Sequence, residues 1–142
     1  MRAEQMGLRY LSLAHRLRKV VDGHMTVGGL SLSRTKVLRV LADQGPVHQA
    51  TLAGALGMAP RSVTQAVEAL ARDGLVDRQP DPADGRAKLV ALTDAGATAL
   101  AAGTIAGEQV LRKVFGDLDA CQLTGLDRIL DVLEASTEQA GA

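Results

Sequence analysis

The stretch from Gln49 to Leu92 constrains this chain more than any other, because its hydrophobic rhythm changes there at closely spaced glycines. Residues 49–56 read as a short helix that Gly57 stops. After the break Gly57-Met58-Ala59, Pro60 suits the first turn of a second helix, where a missing N–H costs nothing. Val63, Val67 and Leu70 recur at three-to-four spacing, which is one apolar face of a helix running to about Asp73. Gly74 closes it. The period then falls to two: residues 75–80 and 87–92 alternate as strands, and Asp81-Pro82-Ala83-Asp84-Gly85 between them is dense in turn formers. This predicts a β-hairpin.

The flanks read as helical arms. Residues 4–21 carry Leu8, Leu11, Ala14, Leu17 and Val21 on one face and arginines on the other, an amphipathic helix. Residues 23–29 hold three glycines without a period, so they are expected to form a loop. A helix capped by Ser33 is expected to reach Asp43, with Val37, Val40 and Leu41 inward and Gly45-Pro46 as its end. Thr93 caps an alanine-rich helix over about 94–115, which Gly116 ends. A last helix, about 119–139, aligns Leu123, Leu126, Leu130 and Leu133 in one stripe.

Helix, short turn, helix and hairpin in that order is the winged helix-turn-helix pattern. The fold class expected is therefore mainly α with a small β-hairpin wing. The second helix of such a pair fits the major groove and aims exposed donors at base edges. On residues 60–73 the outward positions are Arg61, Ser62, Thr64, Gln65 and Glu68. Arg can pair with guanine, Gln with adenine, and Ser or Thr with bases or phosphates. Arg86 and Lys88 near the hairpin tip are placed to reach phosphates or the adjacent minor groove.

Composition narrows the partners. Aromatic residues make up 1% of the 142, Tyr10 and Phe115 alone, so the core must be Leu, Val and Ala. Stacking platforms for single-stranded nucleic acid need exposed aromatics, so duplex is the expected target. Net charge is zero, yet residues 1–42 carry eight Lys/Arg against two acids, and residues 91–142 carry three against eight. That asymmetry allows a positive face; solvated helix faces are the alternative reading. A single cysteine, Cys121, excludes an internal disulfide and suits a reducing compartment; a buried, inert thiol is expected there, with a low-pKa thiolate at the start of the last helix as the other reading. Basic residues interrupt every apolar run of the N-terminus, and no stretch approaches the ~20 apolar residues of a membrane span. A soluble cytoplasmic protein is expected.

No enzyme is expected. The sequence has no Walker-type phosphate loop, His-Glu-x-x-His pair or Gly-x-Ser-x-Gly elbow. His15, His24 and His48 lack metal-ligand spacing, so neither metal nor cofactor is expected. His48, just before the short helix, is placed to cap it or to touch a phosphate.

The run Leu52-Ala-x-x-Leu56-Gly57-Met58, Ser62-Val63-Thr64-Gln65-x-Val67-x-x-Leu70 and Gly74-Leu75-Val76-x-Arg78 resembles the MarR family of regulators. So does Asp81-x-x-Asp84-Gly85-Arg86-Ala87 leading into Leu92-Thr93-x-x-Gly96. The resemblance covers residues 31–96 by motif. It implies a single domain over 1–142, with a DNA-binding lobe at 31–93 flanked by N- and C-terminal dimerisation helices, 4–30 and 94–142. It further implies a homodimer on a pseudo-palindromic double-stranded site, acting as a repressor released by a small-molecule effector. By that resemblance Arg86 contacts the minor groove, with Asp84 or Asp81 orienting its guanidinium; a plain turn with aspartates capping backbone amides is the other reading.

This chain departs from the family pattern in places. Gly85 stands where a second arginine is common, and the aromatic lining of family effector pockets is missing, leaving Tyr10, His15 and His24 as effector-binding candidates. Cys121 is far from the N-terminal position of redox-sensing relatives. A dimeric protein-interaction module that lost DNA binding is the alternative function, motivated by the near-neutral charge of residues 43–90.

Overall fold

In the computed structural model, which describes residues 1–27 and 29–142, the chain runs α1 (Ala3–Val27), α2 (Leu32–Gln44), α3 (Gln49–Leu56), α4 (Pro60–Arg72), β1 (Val76–Pro80), β2 (Lys88–Leu92), α5 (Asp94–Phe115) and α6 (Ala120–Ala140). These residues form two compact units, Met1–Glu108 and Gln109–Ala142.

In the first unit each turn of the chain has a local cause. Gly57 adopts a left-handed conformation (φ 61°, ψ 32°), and its N–H satisfies the last carbonyls of α3 at Ala53 and Gly54. Pro60 then opens α4 within its first turn. Val63, Val67 and Leu70 of α4 are fully buried against Val37, Leu38 and Leu41 of α2, Leu52 of α3, and Val76 and Val90 of the strands. This one aliphatic core sets the angle at which α4 is presented. β1 and β2 pair antiparallel from Val76↔Leu92 to Pro80↔Lys88. Val47 adds a bridge on the other edge of β2, exchanging hydrogen bonds with Val90 at 3.1 and 2.8 Å.

The root of the hairpin is tied to the start of α5. The Thr93 hydroxyl donates to the Gly74 carbonyl at 2.6 Å and accepts the Gly96 N–H at 3.0 Å. A Cβ at Gly96 would overlap the Leu75 carbonyl oxygen and lie 2.7 Å from Leu92 Cδ1, so only glycine permits this approach.

Two expectations fail here. The predicted loop over 23–29 is helical as far as Val27, while Gly28 lies outside the described residues. Met25, 3% exposed, packs over Gly103 and Gly107 of α5, and Val21 packs over Gly107. Burying a methionine is worth about 1.5–3 kcal/mol, which outweighs the roughly 1 kcal/mol helix penalty of Gly23. The cap of α2 is Ser31 rather than Ser33: Ser31 is extended (φ −68°, ψ 161°) and its hydroxyl accepts the Arg34 N–H.

In the second unit, Asp119 caps α6. Its carboxylate accepts the Gln122 N–H at 2.8 Å, and the Gln122 side chain accepts the Asp119 N–H at 3.0 Å. Of the leucine stripe, Leu126 and Leu130 are half-buried, whereas Leu123 and Leu133 are exposed. Ile129 and Val132 beside them are exposed as well.

Candidate nucleic-acid interface

The face that α4 turns to solvent begins at an uncapped helix start. Ala59 holds the cap position with extended geometry and no side-chain bond, so the first-turn N–H groups remain available to an anion. Arg61, Ser62, Gln65 and Glu68 stand exposed on this helix. Arg61, Ser62 and Gln65 carry donors free to reach a base edge or a phosphate, whereas the Glu68 carboxylate can only accept.

Thr64 behaves differently from its predicted outward role. It is half-buried, donates its hydroxyl to the Pro60 carbonyl at 3.0 Å and accepts from Gln49 Nε2 at 3.1 Å. Its hydroxyl therefore joins α4 to α3 instead of pointing outward. The role of Gln49 has no sequence signal, since a glutamine opening a helix gives no sign of its distant partner.

At the hairpin tip Arg86 and Lys88 are both exposed. The aspartates beside them are engaged with backbone. Asp84 Oδ1 accepts the Arg86 N–H at 3.1 Å, and Asp81 Oδ1 accepts the Ala83 N–H at 2.9 Å. Backbone bonds from Asp81 to Ala87 and from Ala87 to Asp84, each 3.1 Å, close the turn. Among the described residues, neither carboxylate pairs with the Arg86 guanidinium. The expected orienting contact is thus replaced by backbone capping, because each carboxylate sits two residues before an amide it can reach. Asp84 still fixes Arg86, through its main chain. The second oxygen of Asp81 lies 2.9 Å from His48 Nε2. Arg34 Nη1 pairs with Asp73 Oδ2 at 3.1 Å, holding the end of α4 to α2.

The three effector candidates do not share a site. Tyr10 is exposed. His24 donates Nδ1–H to the Val20 carbonyl at 3.0 Å and lines a shallow cleft with Lys19. His15 lines a cavity of about 310 Å³ with Arg18, Lys19, Asp22, Ser31 and Lys36. There Asp22 Oδ1 accepts the Leu32 N–H at 2.8 Å, and three cations, Arg18, Lys19 and Lys36, stand against that one carboxylate. Cys121, expected buried, is exposed in the first turn of α6.

The described residues contain no group of His, Cys, Asp and Glu able to hold a metal ion. None of their helices is long and apolar enough to cross a membrane.

Comparison with known proteins gives concordant matches. The sequence model of the MarR family matches residues 30–88. The chain is 31% identical over 111 residues to an HTH-type transcriptional regulator of Mycobacterium bovis, covering 78% of each protein. It is 30% identical over 136 residues to the HTH-type transcriptional repressor NicR of Pseudomonas putida, covering 91% of this chain and 86% of NicR. Its fold superposes with a TM-score of 0.77 on a cysteine-to-serine variant of MarR from Escherichia coli solved with operator DNA, at 20% identity over 91% of this chain and 93% of that one.

Proposed function

Because the chain belongs to the MarR family of winged helix-turn-helix transcriptional regulators, we propose that it is a homodimeric repressor. It binds a pseudo-palindromic duplex and releases it when a small anion occupies the cavity beside α1. Residues 31–93 form the DNA-binding lobe, and 4–30 with 94–142 form the dimerisation arms.

The observation that carries this reading is the seating of α4. Its inner face is locked in the core by Val63, Val67 and Leu70, while Arg61, Ser62 and Gln65 stand in solvent beside an uncapped helix start. Such a helix has no structural need for its exposed donors, and they suit a major groove. Arg86 and Lys88 are the wing contacts to phosphate or minor groove, with the two aspartates shaping the tip. Contacts in two successive grooves require two copies, with half-sites about 34–36 Å apart. The exposed Leu8, Leu11 and Leu13 of α1, and the exposed Leu123, Ile129, Val132 and Leu133 of α6, supply apolar surface for that association. In this role the chain performs no catalysis and works in the cytoplasm, where its DNA is. A protein-interaction module without DNA binding draws no support from relatives named as regulators and repressors.

The effector reading rests on charge. Arg18, Lys19 and Lys36 converge with His15 on a cavity large enough for a small organic acid. An anion that favours a lobe spacing too wide or too narrow for the two half-sites lowers DNA affinity by the same factor by which DNA lowers the anion's.

Anisotropy titration against the duplex upstream of its own gene and against a scrambled duplex, over a salt series, tests the function. Tighter, salt-dependent binding to the native duplex is expected. Equal affinity for both duplexes refutes sequence-specific regulation.

A further inference from the structure

We propose that His48 is a positioning residue for the wing, acting through Asp81. The inference rests on the DNA-binding reading above and adds to it a residue on the opposite element.

His48 occupies the N-cap position of α3 with extended backbone (φ −70°, ψ 152°), yet its side chain makes no capping bond to that helix. It reaches instead across to the hairpin, where Nε2 meets Asp81 Oδ2 at 2.9 Å. The Asp81 side chain is only 16% exposed, and both of its oxygens are used: Oδ1 takes the Ala83 N–H at 2.9 Å while Oδ2 takes His48. One carboxylate thus joins the residue that shapes the tip to the residue that opens α3. Among the described residues this is the one carboxylate contact between the tip and the helical pair, since Arg34–Asp73 joins α2 to α4 and Arg2–Glu4 is local to α1.

The strand ladder alone does not fix the tip. Val47 holds the middle of β2 at Val90, but β1 and β2 continue beyond that point to Pro80 and Lys88 as a two-stranded ribbon. Such ribbons twist readily. His48, one residue after the Val47 bridge, closes the ribbon's far end against α3 and so sets where Arg86 can reach. It also draws the Asp81 carboxylate back toward the protein, away from a phosphate it would repel.

The test uses the full chain carrying His48→Leu, which removes the bond, and His48→Gln, whose amide can still donate to Asp81. Heteronuclear NOEs of the Ala83 and Arg86 amides report wing motion without DNA. Duplex affinity is measured with and without Arg86→Ala. His48→Leu is expected to lower the NOEs at Ala83 and Arg86 while leaving those of α4 unchanged. It is expected to weaken duplex binding about three- to fivefold, the scale of one hydrogen bond, with most of the loss restored by His48→Gln. The loss should vanish in the Arg86→Ala background, because the wing contact is then already gone. Unchanged NOEs overturn the proposal, and so does an equal loss in both backgrounds, which would mean that His48 meets the DNA itself. If the unsubstituted chain binds no duplex, the regulator reading falls, and the NOEs alone then decide whether His48 restrains the wing.

Discussion

The side-chain amide of Gln49 donates to the hydroxyl of Thr64 at 3.1 Å, so the first helix of the pair registers the second through one hydroxyl. Thr64→Val keeps the shape of the side chain and removes both of its bonds. It is expected to lower stability by about 1–2 kcal/mol in chemical denaturation, since each of the two hydrogen bonds is typically worth about 1. Gln65→Ala, one residue on and exposed, is expected to leave stability unchanged. It should cost about 1–3 kcal/mol of binding at one base position, read by titrating duplexes substituted there. Equal losses on specific and random duplex would make Gln65 a backbone contact.

Arg86→Ala removes a charge from the wing tip without touching the Asp84 cap on its main chain. Binding is expected to weaken across all sequences, and the slope of log affinity against log salt should fall by about 1. The measurement is the same titration at several salt concentrations. Unchanged affinity at physiological salt would take the wing out of the DNA interface.

Gly96→Ala places a methyl group on the Leu75 carbonyl oxygen. Overpacking of this kind costs about 1–3 kcal/mol, and backbone is less able to yield than a side chain. A clear drop in denaturation midpoint is expected. Gly54→Ala, whose Cβ meets nothing within 4 Å, serves as the control and should be neutral or mildly stabilising.

Deleting residues 119–142 removes α6 with its exposed Leu123 and Leu133. The shortened chain is expected to run as a monomer in light scattering and to lose tight duplex binding. A well-folded dimer after the deletion would assign the association to α1 and α5 alone.

The middle of the fold was legible because its signals are local. Gly57 and Pro60 mark the turn by backbone chemistry, and the spacing of Val63, Val67 and Leu70 names the buried face, all three at 0% exposure. The hairpin followed from alternation around a run of turn residues. The end of α1 was illegible for the opposite reason: Gly23 argues locally for a break, and the Met25 contact that overrules it comes from α5, far along the chain. Ser31 and Ser33 are equal as caps on paper, and only the extended backbone at Ser31 decides between them. The site divided in the same way. Exposure of Arg61, Ser62 and Gln65 follows from helix periodicity, whereas the inward turn of Thr64 and the reach of His48 to Asp81 depend on tertiary partners. The Asp-x-x-Gln box at 119–122 is a local signal of the same kind and marks the start of α6.

Pinning Thr93 to Gly74, and Gly96 to Leu75, leaves no slack between the first turn of α5 and the junction where α4 gives way to β1. Close-packed joints transmit displacement instead of absorbing it. A displacement of the first turn of α5 is therefore expected to carry the α4–β1 junction and the root of the hairpin with it.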